Sequence, residues 1–86
     1  MDLVPLLKSA PDSQLDASMR AKVDGWSDPP KAIEILEVLD LCIFASLASG
    51  FMVAALQAFY DITCKAEGTT HEEVVKRATW REEPGA

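Results

Sequence analysis

Hydrophobic positions recur every three or four residues along most of this chain, and that spacing predicts helices. Leu15, Met19 and Val23 fall four apart, the period at which one side of an α-helix repeats. Glu34, Glu37 and Asp40 keep one side of a following segment polar for three turns, and Ile33, Leu36, Val38, Leu39 and Leu41 fill the rest. Further on, Gln57, Asp61 and Lys65 make a narrow polar stripe through an otherwise apolar run. Val74, Val75 and Ala78 share an arc near the C-terminal end, with His71 beside them. Nowhere do polar and apolar residues alternate, and no hairpin dipeptide appears, so strands are not expected.

Turn and cap residues divide the pattern. Asp2 caps a short helix over residues 3–9, with Pro5 in its first turn and Pro11 beyond its end. Asp12 or Ser13 starts a second helix that reaches about Asp24, before Gly25. In "SDPPK", Ser27 or Asp28 is the expected cap and Pro29 the first helical residue. Gly68 stops the next segment, and "TTHEE" reads as a capping box, Thr70 with Glu73. The last helix is expected to run to about Trp80 or Arg81, with Glu72–Lys76 and Glu73–Arg77 on its surface. "EEPGA" reads as a tail. The resulting expectation is an all-α chain, a small bundle of four to five helices in one domain.

The run "LCIFASLASGFMVAALQAFY", residues 41–60, carries no formal charge and admits two readings. It has the length of a membrane span, and Ser46, Gly50, Ala54 and Ala58 recur every four residues as close helix packing requires. Against a span, much of it is Ala, Ser and Gly, Gln57 lies inside it, and Asp40 and Asp61 flank it where basic residues are usual. The polar stripes before and after it also do not line up on one straight helix. A break near Ser49-Gly50 resolves this and gives a helical hairpin, residues 29–48 against 51–66, at the centre of the bundle. In that reading Ser46, Gly50, Ala54 and Ala58 pack helix against helix, and Gly50→Leu damages the fold.

Composition narrows the function. Fourteen acidic against eight basic residues leave a net charge of −6 in 86 residues, which argues against direct nucleic-acid binding and suits a partner with a basic surface. Cys42 and Cys64 sit in apolar, helical surroundings, and no secretory signal opens the sequence. Reduced thiols in the cytoplasm are the expectation. One histidine and no CxxC make a metal site improbable chemistry. A Cys64–His71 dyad is the one nucleophile–base pair close in sequence, and packing of Cys64 explains it better. No catalysis and no cofactor are expected.

The reading that remains is a small acidic protein–protein interaction module: a regulator, inhibitor, adaptor or accessory subunit that acts by binding. Candidate partner-binding residues are Trp80, Lys76 and Arg77 on the last helix and Glu34, Glu37 and Asp40 on the central one. Trp80 is an anchor if the helix continues through it, and a core residue if the helix ends earlier and the chain folds back. The acidic set, with Asp12, Asp16, Asp24 and Asp28, is of a kind that imitates phosphates in a basic groove. Trp26 staples the second helix to the core. A homodimer sharing the apolar segment is compatible with so short a chain. The rival class is a membrane subunit with one spanning helix at about 41–60.

Overall fold

The structure, a computed structural model, describes residues 3–81; the expected Asp2 cap and the tail at 82–86 lie outside them. The element order is α1 (Val4–Ser9), α2 (Ala17–Asp24), α3 (Ala32–Ala45), α4 (Gly50–Glu67), α5 (His71–Arg77) and a 3-10 turn, Thr79–Arg81. The chain is all-α, as the periodicity predicts, and the α3–α4 hairpin is its centre. Helix α3 packs on α4 along its length and is flanked by α2 and α5, while α1 packs on α2. Leu15, Met19 and Val23 are buried together with Ile35, Leu36, Val38 and Leu39 of α3 and Met52, Leu56 and Tyr60 of α4.

Three boundaries differ from the sequence expectation, each for a local reason. Helix α2 starts at Ala17, not at Asp12 or Ser13. Residues 14–16 are occupied elsewhere: Asp16 N donates to Leu47 O at 2.8 Å and Ser49 N to Gln14 O at 2.8 Å. This single antiparallel bridge, Leu15 to Ala48, ties the second helix's approach to the α3–α4 turn. Asp16 becomes the cap, accepting from Ser18 N at 2.8 Å.

Helix α3 starts at Ala32, not Pro29. Pro29 precedes a second proline, and the ring of Pro30 disfavours the helical conformation for the residue before it. Its first turn is capped by two glutamates. Lys31 N donates to Glu34 Oε1 at 2.9 Å, and Ala32 N donates to Glu67 Oε2, from the far end of α4, at 2.7 Å. Partial desolvation would raise the Glu34 carboxyl. The amides of Lys31 and Ser27, with the Lys31 charge, outweigh that and hold it below the ordinary range.

The break in the 41–60 run spans residues 46–49. Ser46 takes the left-handed conformation (φ 54°) that ends α3, and Ser49 caps α4, accepting from Met52 N at 3.2 Å. Gly50 is therefore the first residue of α4 and not the turn itself. Among the described residues no helix is long and apolar enough to cross a membrane; the turn at residues 46–49 divides the uncharged run between two helices. At the other end of α4, Gly68 adopts φ 69° and its N–H returns to Lys65 O, with Thr69 N on Cys64 O, a left-handed glycine cap.

Candidate functional site

Of the acidic and aromatic residues singled out from the sequence, Glu34, Glu37 and Asp40 lie along α3 and Trp80 on the segment that crosses it. Glu37 and Asp40 face outward on α3, three residues apart, and Phe44 stands one turn beyond Asp40 on the same side. Helix α5 ends at Arg77, short of the expected Trp80, because Ala78 turns extended (φ −80°, ψ 106°). That turn buries Ala78 and brings Trp80 back across α3. Its indole N–H donates to Asp40 Oδ2 at 3.3 Å, and the residue remains 39% exposed. Trp80 is thus both partly packed and partly presented, between the two outcomes its position allowed.

The other predicted partner residues are engaged within the chain to different degrees. Glu37 lies 3.9 Å from Lys22 of α2. Glu34 is consumed in capping α3. Arg77 donates to Thr69 Oγ1 at 2.9 Å and lies 3.9 Å from Glu73. Lys76 is exposed on the outer side of α5. The structure therefore brings Trp80 and Asp40 together, sets Glu37 a turn away, and leaves Glu34, Lys76 and Arg77 outside that cluster.

The acidic set does not form one patch. Asp12 and Asp24 are drawn into separate pairs, with Arg20 and Lys8. Arg20, one turn on from Asp16, donates instead to Asp12 and, at 2.9 Å, to Ala10 O. Asp16 instead serves its cap; the Ser18 amide and hydroxyl hold its carboxyl below the ordinary range.

The structure leaves the small-residue stripe at the surface of the chain. Ser46, Gly50, Ala54 and Ala58 are all exposed, and a Cβ at Gly50 would meet nothing within 4 Å. Inside the chain they pack against no helix: α4 turns its opposite side, Met52, Leu56 and Tyr60, to α3.

The structure adds residues that the sequence reading left out. Phe44 is 91% exposed, Phe51 and Ile62 65% each, and Ile43 55%. They escaped notice because all but Ile62 lie within the uncharged run and were assigned to the interior as a block. The signal was present in the helical spacing: Phe44 follows Glu37 and Asp40 at seven and four residues, on the polar side. Phe51, Ala58 and Ile62 share the side of Lys65 and not that of Met52 and Leu56.

The thiols are placed apart from this surface, whereas His71 lines a shallow pocket with Asp40 and Ile43 of α3. Cys42 is buried, and burial pushes its thiol up to about 11. Cys64 is buried too. His71 Nδ1 is hydrogen-bonded to the Tyr60 hydroxyl at 2.7 Å, ring edge to face. No group of three metal-ligating side chains gathers among the described residues. Compared with family models, curated proteins and solved structures, the chain matches none, so its surface is the ground for a functional reading.

Proposed function

We propose that this chain is a small acidic interaction module that acts by binding another protein through the outer face of α3, centred on Phe44. The observation that carries this is the 91% exposure of a phenylalanine on a regular helix. A phenyl ring held in water by a well-packed scaffold is an anchor without its pocket, and aromatic anchors in desolvated pockets dominate binding energies. Ile43 adjoins it, Asp40 and Glu37 follow on the same side, and Trp80 lies against Asp40. The matching partner offers an apolar pocket bordered by basic side chains, with the rim charges setting orientation and encounter rate. Catalysis has no part in this reading: the thiols are buried and the imidazole is engaged by Tyr60. Two unpaired, reduced thiols suit the cytoplasm.

The test is paired affinity capture with wild-type and Phe44→Asp chains as baits, quantified by mass spectrometry. The substitution leaves the melting temperature unchanged, since the ring is almost fully solvated. A protein retained by wild type and reduced at least tenfold by Phe44→Asp is expected. If every captured protein is held equally by both baits, the reading is wrong.

A further inference from the structure

Helix α4 presents a second apolar face that nothing in the chain covers. Phe51 and Ile62 are each 65% exposed near its two ends, and Ala54, Ala55 and Ala58 lie between them. Beside Ile62 runs a groove of about 600 Å³ between the Pro29–Pro30 loop and the second half of α4, walled by Pro29, Pro30, Phe59, Ile62 and Ala66.

We infer that the occupant is a second copy of this chain, with the two α4 helices antiparallel about a two-fold axis between residues 56 and 57. This rests on the reading of the chain as a binding module and names the occupant of a face distinct from Phe44. Three features favour it. First, the face is self-complementary, as a two-fold interface must be. Phe51, Ala55, Ala58 and Ile62 are spaced four, three and four, so reversal superimposes large on large and small on small. That is the spacing of a coiled-coil seam.

Second, the axis sets Phe51 of each copy beside Ile62 of the other, where the groove lies. Phe51 and Ile62 are about 16 Å apart along one helix at 1.5 Å per residue, so a chain cannot fill its own groove. The alanines set only how closely the helices approach.

Third, the carboxylates nearest the seam are screened from one another. The two Asp61 carboxylates lie about 14 Å apart along the axis, beyond the screening length of about 8 Å at physiological salt. A seam of four residues with one groove wall per copy suits a small, concentration-dependent dimer, not an obligate one.

Sedimentation velocity of the full chain over a concentration series, at physiological salt, tests this without any other protein present. Wild type is expected to pass from monomer to dimer. Phe51→Asp and Ile62→Lys, each at an exposed position, raise the dissociation constant at least tenfold, and Phe44→Asp changes it less than twofold. The double variant Phe51→Asp/Ile62→Lys places opposite charges face to face only in the antiparallel register, so it associates at least threefold more tightly than either single variant. A wild type that stays monomeric, or a dimer that Phe51→Asp leaves intact, overturns the inference and leaves capture through Phe44 standing. A double variant no tighter than the singles overturns the register. Loss of Phe44-dependent capture with dimerisation intact overturns the functional reading alone.

Discussion

The two helices of the hairpin differ most on the sides they turn away from each other. The outward face of α3 is polar and engaged up to Asp40, where Glu34 caps its own helix, Glu37 approaches Lys22 and Asp40 receives the Trp80 indole, and it opens only at Ile43 and Phe44 in the last turn. The outward face of α4 is apolar and open, with Phe51, Ala58 and Ile62 in solvent. Position in the bundle explains the contrast. Helix α3 is flanked by α2, α4 and α5, whereas α4 packs chiefly on α3. A helix in the middle needs its polar residues to satisfy neighbours' amides and charges; a helix at the edge is free to leave a face for something outside. The acidic residues of α3 are thus mostly structural, and the small residues of α4 are surface. Residue type alone suggests the opposite on both counts.

The strongest way to break this comparison is to cut into both sides of α4. Leu56→Ala removes a fully buried side chain from the inner face and is expected to cost about 3 kcal/mol in chemical denaturation. A loss below about 1 kcal/mol would show that the inner face is not the core.

A smaller effect is expected from the capping carboxylate of α3. Glu34→Ala should cost about 1 kcal/mol at neutral pH. The wild-type carboxyl titrates below its ordinary 4.5 when folded, so the unfolded chain binds the proton first as the pH falls. The contribution of Glu34 is complete above that ordinary value and is lost as the pH drops through the folded one. The stability difference between wild type and Glu34→Ala therefore narrows on acidification below 4.5. A difference that stays constant down that range would remove the capping role.

The smallest effect belongs to Gly50→Leu. It stands at the first position of α4 with open space around it, so the stability of the monomer should change by no more than about 0.5 kcal/mol. A large loss, the outcome the small-residue pattern suggests, would place Gly50 in a close contact after all.

Much of the architecture was legible in the chain. The stripe of Leu15, Met19 and Val23, the Thr70 cap and the Gly68 stop all stand where periodicity and turn chemistry put them, because each depends on residues within one or two turns. The split of residues 41–60 into a hairpin was also legible, from polar stripes that do not align. Its position shifted a few residues from Ser49-Gly50, since Ser46 supplies the left-handed turn and Ser49 the cap of α4. The start of α3 was readable in principle from Pro30, which disfavours a helical Pro29.

The start of α2 was not legible, because it depends on Leu47 and Ser49, more than thirty residues away. The site was less legible than the fold. Trp80 and Asp40 were both singled out, yet only the extended turn at Ala78 brings them together across forty residues. Phe44 and Phe51 were hidden inside an apolar block whose inward and outward halves look alike until a neighbour is chosen.

The sequence by itself determined the helices, their caps and the charge of the surface, because these follow from local hydrogen bonding and periodicity. Only the tertiary structure decided which helix lies in the middle and which at the edge. Burial is set by contacts between segments far apart in the chain, and it is burial that makes Leu56 core and Phe51 surface on the same helix.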